Sequence, residues 1–380
     1  MINRTNAYRR LFARLCMVIS ITCLTSVLAS AQGFEFSFGG PKEDQGQALL
    51  ATSDHGYLEV GFTEGGFSED GSGDDNDIDI FVVRTDKDGT EIWSQSYDAG
   101  FQEYGFDLIQ RPDGDFFIVG DREASLGDPF NGHLIRIDKQ GNQIYTKDYF
   151  AGDQDLRLSH IVRAESGTGY ILSGSLELEE TGRDAALIIL IDNEGNEVWR
   201  RTFSGGYIDR TIGAVALDDG YLLAINRSDA DGNLDIVLLK TDLDGNELET
   251  VVWGTVERDE RVDDIIRTSD GNIAFCGSTD NTGFSLLAKA DLNGDTLWIN
   301  EIDASQLGEG LKCLIEEDDG TTITAAGDAF RTPLDGDVLL TKVSSVTGQQ
   351  IWQRLLGDTA VFNTATDIVT TPEGGYAIAA

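Results

Sequence analysis

Along most of the chain, apolar and β-branched residues come in short runs broken by glycine, aspartate and asparagine, and no run beyond residue 31 has helical periodicity. One hairpin signature organises these runs. Thr85-Asp86-Lys87-Asp88-Gly89-Thr90-Glu91-Ile92-Trp93 is its first copy, and it returns at 137–145, 191–199, 241–249, 290–298 and 343–352. Each copy closes an apolar run, turns at a glycine and places a large aromatic four positions later, except that Glu249 stands there in the fourth copy. Glycine supplies the positive φ that such a turn requires.

Two further strand signals precede each hairpin. The first carries an apolar doublet: Leu49-Leu50, Leu108-Ile109, Ile161-Val162, Val215-Ala216, Ile265-Ile266, Cys313-Leu314 and Ile368-Val369. Neighbouring residues on a strand point to opposite faces, so the doublet predicts a strand buried on both. The second follows a tight turn such as Pro112-Asp113-Gly114 and tends to start on an aromatic and end on glycine, as at 57–61, 116–120 and 170–174. Four strands per unit, at a period of roughly 50 residues, predict an all-β fold: a β-propeller of four-stranded antiparallel blades. The units fall at about 46–100, 101–153, 154–206, 207–255, 256–304 and 305–358, and a seventh begins at 359. That last unit has a first and a second strand, and 34–38 can supply its fourth. The expected ring is seven-bladed with an incomplete last blade. An apolar strand ending at Ala380 would leave an open edge, so the chain is expected to continue beyond it.

The order of turn, glycine-bounded strand, acidic loop and closing hairpin is clearest at 191–199, 235–246 and 268–277. It resembles the tandem unit of bacterial secreted β-propeller repeat proteins, over 34–380. Val346-Thr347-Gly348-Gln349-Gln350-Ile351-Trp352 is also similar to the turn of pyrroloquinoline-quinone-type propellers, which include quinoprotein dehydrogenases and an outer-membrane assembly scaffold. The resemblance implies the fold first. A quinone-dependent dehydrogenase, a polysaccharide-active enzyme and an envelope assembly scaffold enter as alternatives to a binding protein.

The N-terminal segment differs in kind. Arg4, Arg9, Arg10 and Arg14 precede an apolar stretch at 15–28, and Ala29-Ser30-Ala31 offers a small-residue cleavage site, the pattern of a secretory signal over 1–31. The apolar stretch is too short to span a bilayer. The remaining 32–380 are then one secreted, periplasmic or cell-surface domain. Removing 1–31 takes away four arginines and no acid, so the formal charge goes from −39 to −43. Such a surface repels nucleic acid and anionic lipid and attracts cations and basic partners. Cys276 and Cys313 remain, and export would permit a bridge between them, while their apolar strand positions suit two buried thiols.

Alternating strand direction puts the turns within each strand pair on one face of the ring, and the connections between second and third strands on the other. The second set varies in length and composition, and variable loops on a rigid scaffold are where binding resides. Its acidic stretch carries Asp70, Asp74, Asp75, Asp77 and Asp79. A second, with Asp229, Asp231 and Asp235, resembles the calcium loop of integrin-type propellers but has Arg227 where the first acidic ligand belongs. Oxygen-rich loops suit calcium, the one cofactor the residues suggest. Asp107, His160, Asp264, Lys312 and Asp367, each just before an apolar doublet, are candidates to line the central channel. His55, His133 and His160 are the only histidines and have no catalytic spacing. The expectation is therefore a monomeric binding scaffold that is not an enzyme, with a protein or glycan ligand on the variable face.

Overall fold

The computed structural model describes residues 38–39, 44–64, 77–164, 167, 169–254, 258–279, 284–302, 309–332, 335–357 and 364–379. All regular elements among them are strands, in six four-stranded antiparallel blades followed by a two-stranded one. Blade one is Asp44–Ala51, Tyr57–Glu64, Ile78–Thr85 and Glu91–Tyr97, and blade two is Gln102–Gln110, Phe116–Glu123, Asn131–Ile137 and Gln143–Tyr149. Blades three to six cover 156–203, 208–253, 260–302 and 309–356; the seventh has Asp367–Thr370 and Tyr376–Ala379. The strands of a blade pair in sequence order. Val369, Ala377 and Ala379 of the last sheet pack on Leu49 and Tyr57 of the first, which closes the ring of a β-propeller. The strand expected at 34–38 lies outside the described residues except for Phe38.

The second and third strands read as continuous apolar runs because both of their faces meet another blade. Leu187, Ile188 and Ile189 are all fully buried, and their alternate side chains enter different clusters. Leu222 and Ala224 of blade four likewise pack on Val262, Phe275 and Leu286 of blade five. Each such side chain contributes about 1.5–3 kcal/mol by leaving water. The outermost strand is covered on one side only, so Ile92, Val198 and Leu248, each next to the aromatic column position, remain more than half exposed. Cys276 and Cys313 are buried free thiols.

Each hairpin turn is held by its own aspartate. One carboxylate oxygen of Asp86 accepts the backbone N–H of Asp88 and of Thr90, both at 2.9 Å, and Asp138, Asp192, Asp242 and Asp291 repeat the pattern. The turn glycine serves the neighbouring blade as well. A Cβ on Gly141 would meet the Trp93 ring at 3.0 Å, one on Gly245 the Trp199 ring at 2.7 Å, and one on Gly348 the Trp298 ring at 2.7 Å. The aromatic of one hairpin thus lies over the bare turn of the next.

Candidate functional site

The inner strand of each of the six complete blades carries a bulge, at Gln47, Phe106, Ser159, Ile212, Asp263 and Lys312. The extra residue re-aims the side chains beyond it. Counting from the bulge, the column beside the doublets is Ala48, Asp107, His160, Gly213, Asp264 and Cys313, with Asp367 in the seventh blade. Lys312, read from sequence as a member of this column, is instead the bulged residue. It stands 3.7 Å from Asp263, the bulged residue of the preceding blade, which Arg261 also holds at 2.8 Å.

The three column aspartates hold blades together. Asp107 accepts the N–H of Leu108 at 2.7 Å and, across the blade boundary, that of Ile161 at 2.8 Å. Asp264 does the same for Ile265 and Leu314, and Asp367 for Ile368 and Leu49. His160 Nδ1 lies 2.7 Å from Asp107 Oδ2, and its ring remains about a quarter exposed to the channel (27%). Burial pushes Asp264 up to about 6 and Asp367 up to about 8, where the charges of Asp264 and Asp107 add to the rise. Burial pulls His160 down, but the Asp107 carboxylate beside it, with Asp264 and Asp367, outweighs that and raises it. Side chains from four blades therefore share one electrostatic environment at the ring's centre.

At the opposite end of the inner strands an acidic position recurs: Asp44, Glu103, Asp209 and Glu260 in blades one, two, four and five. In blade four it is satisfied. Asp209 accepts the N–H of Gly205 at 2.8 Å and of Gly206 at 2.9 Å, and Arg227, its register partner, bonds its other oxygen. In blade two the equivalent arginine is drawn elsewhere: Arg122 bonds Asp148 and the Ala99 carbonyl, and its Nε stays 3.7 Å from Glu103. Glu103 is fully buried, and neither of its oxygens has a hydrogen-bond partner of ordinary geometry among the described residues. Burial pushes Glu103 up to about 8, against the pull of the Ala99 backbone N–H and with the charges of Asp79, Asp77 and Asp98 adding to the rise. Burial likewise pushes Asp79 up to about 6, helped by Asp77 and Asp98.

Of the first acidic loop, Asp70, Asp74 and Asp75 lie outside the described residues, while Asp77 and Asp79 are brought to the start of a third strand. The loop expected to bind calcium has another role. Asp229 accepts the N–H of Asp231 at 2.8 Å and of Asn233 at 3.1 Å, and its second oxygen takes the Asn233 amide, so it caps a tight turn as the hairpin aspartates do. Asp231 is exposed, and Asp235 stands beside Gly254 and Glu260 rather than beside Asp229. Among the described residues one set of three acidic side chains brings its ligand atoms within 4.8 Å of one another: Asp77, Asp79 and Glu103. Sequence reasoning misses Glu103 because it comes from the next blade. A single parallel pairing of Ile78 with Gln102, adjacent to Asp79 and Glu103, brings them together. The recurring basic column pairs with acids in or beside the turn between first and second strands: Arg84 with Asp54, Arg136 with Asp113 and Asp115, Lys289 with Asp270, Lys342 with Glu317.

No protein family profile matches the chain, and no curated protein matches it in sequence. Solved structures do match its shape. A periplasmic gluconolactonase of Pseudomonas aeruginosa superposes with a TM-score of 0.55 at 13% identity, over 83% of this chain and 87% of that one. The WD40 domain of Neurospora crassa Pan2 gives 0.52 at 10% identity, over 88% and 86%. A quinohemoprotein alcohol dehydrogenase from Comamonas testosteroni gives 0.51 at 10% identity, over 89% and 70%. At such identities the likeness establishes the β-propeller fold. It also corrects the expectation that the chain is not an enzyme. Two of these three structures are enzymes on the same scaffold, so the lack of a familiar histidine spacing in the sequence does not support that expectation.

Proposed function

We propose that the protein is exported and recognises a basic partner through the end of the ring that carries the second-to-third strand connections. The observation that supports this is the recurrence of acids at the strand starts of that end together with the exposed acidic loop of blade four. On the hairpin end the recurring aspartates cap their own turns, as Asp86, Asp138 and Asp192 do. On the other end Asp44, Glu103, Asp209 and Glu260 recur at strand starts, the last three of them buried, and the loops beyond carry exposed Asp229 and Asp231. Exposed carboxylates such as those of Asp229 and Asp231 attract cationic groups, and salt weakens the attraction. Export is supported by the residue 1–31 pattern, and no helix among the described residues is long and apolar enough to cross a membrane. The test measures binding of a fluorescent lysine-rich peptide at low and high salt. Neutralising Asp229 and Asp231 is expected to weaken binding while neutralising Asp88 and Asp244 on the hairpin end leaves it unchanged; equal effects from both ends sink the proposal.

A second reading rests on His160 and Asp107. An imidazole oriented by a carboxylate and open to water is equipped for general acid–base chemistry. If lactone hydrolysis occurs, it should vanish in His160→Gln with the fold intact by circular dichroism. A pyrroloquinoline quinone fits this column poorly, since its carboxylates would face acidic Asp107, Asp264 and Asp367 with His160 as the one basic side chain among them.

A further inference from the structure

We propose that Asp77, Asp79 and Glu103 bind a hard divalent cation of the calcium class at the junction of the first and second blades. The three ligand oxygens lie within 4.8 Å of one another. Two oxygens on opposite sides of a calcium ion at its usual ~2.4 Å are about that far apart, and an all-carboxylate donor set selects calcium, magnesium or manganese over softer metals.

Proximity alone would be a solvated acidic cluster, and two observations separate this one. The first is burial without partners. Glu103 is fully buried and Asp79 nearly so (4%), yet both Glu103 oxygens and Asp79 Oδ1 lack hydrogen-bond partners among the described residues. The nearest cation, Arg122 Nε at 3.7 Å, is beyond hydrogen-bond reach, so these buried oxygens are incompletely compensated. The second is the contrast with blade four, where the equivalent Asp209 is closed off by Arg227 and two glycine N–H groups. In blade two Arg122 bonds Asp148 and the Ala99 carbonyl, keeps only its Nε at 3.7 Å from Glu103, and leaves that carboxylate beside Asp77 and Asp79. The positive charge that blade four supplies by a side chain is supplied at this junction by an ion, with water completing its shell. Blades four and five show what is lacking elsewhere: Asp235 and Glu260 approach each other there, but the position of Asp77 is taken by Asn233, whose amide is bonded to Asp229. The ion would tie the third strand of blade one to the inner strand of blade two, where backbone pairing is limited to Ile78 and Gln102.

The test uses the whole chain stripped with a chelator. Calcium chloride is titrated calorimetrically into wild type, Asp79→Asn and Glu103→Gln, and each is melted with and without calcium. The expected result is saturable binding with a rise in Tm for wild type, and affinity at least about tenfold lower in each variant, as loss of a ligand group requires. Glu103→Gln should also melt no lower than wild type in the absence of calcium, because it replaces a buried carboxyl without a hydrogen-bond partner by a group of the same shape; this shows that its lost binding is not lost folding. No binding by wild type, or wild-type affinity in either variant, overturns the proposal.

Discussion

At the scale of single residues, the turn glycines answer to the neighbouring blade as much as to their own turn. Gly245 has φ +76° and would carry a Cβ only 2.7 Å from the Trp199 ring. Gly245→Ala is therefore expected to lower the unfolding free energy by about 1–3 kcal/mol in urea titration; unchanged stability would mean that Trp199 yields freely. Lys289 is a second such point. Its side chain is buried (2%), with the ammonium donating to Asp270 at 2.8 Å and to the carbonyl and hydroxyl of Ser345 in the next blade. Lys289→Met should cost about 2–3 kcal/mol, short of a fully buried pair because Asp270 is half exposed and can turn to water.

At the scale of elements, the hairpin repeat shows how far periodicity carries. Its aromatic column, turn glycine and capping aspartate were legible because the physical demands of a turn and a blade interface recur at fixed offsets. Trp199→Ala should lower stability by about 2 kcal/mol, read from the urea midpoint, since this half-buried ring covers Gly245 and packs on Tyr221 of blade four. An undiminished midpoint would show that the column is ornamental to packing. Blade four breaks the pattern at Glu249, and the structure shows the compensation: Val251 covers Gly294, and Trp253, four residues along, stacks edge-on against Phe275 and donates to Thr296. The inner strands were harder to read. The sequence doublets Val215-Ala216 and Cys313-Leu314 sit one position later and earlier, respectively, than the structural ones. A two-residue turn at Asp218-Asp219 shortens blade four, and a bulge advances the register in every complete blade. Cys313 reads as an apolar residue and so passes for the first member of the doublet, which is why the sequence alone places Lys312 with the channel aspartates.

At the scale of the whole molecule, the inner strands are joined by carboxylates with raised pKa, and this makes stability pH-dependent. A carboxyl whose folded-state pKa exceeds its unfolded one binds its proton more tightly when folded, so its contribution is favourable at low pH and is lost as pH rises through the folded value. Asp264 at about 6 and Asp367 at about 8 act in this sense, as do Asp121 at about 7 and Glu103 at about 8. His160, also raised, loses its stabilising charge in the same direction. Acids held low, such as Asp54 and Asp113, are ionised throughout this range in both states and add no slope. In chelator-treated buffer, stability should therefore fall from about pH 5.5 to about pH 8.5, by up to about 1.4 kcal/mol per pH unit for each proton difference. A Tm that is flat or rising over that interval would contradict it.

The sequence by itself determined the strand content, the blade repeat and the chemistry of each turn, because those depend on interactions within a few residues or at a fixed repeat distance. Only the tertiary structure decided where the acids meet. Asp79 and Glu103 belong to different blades, as do Asp107 and Ile161, and Asp367 and Leu49 stand at opposite ends of the described ring. Their convergence comes from ring closure and bulge register, which bring distant positions within a few ångströms, and no local pattern records that. The same physics makes one acidic residue a turn cap, as at Asp229, and leaves another buried without a hydrogen bond, as at Glu103.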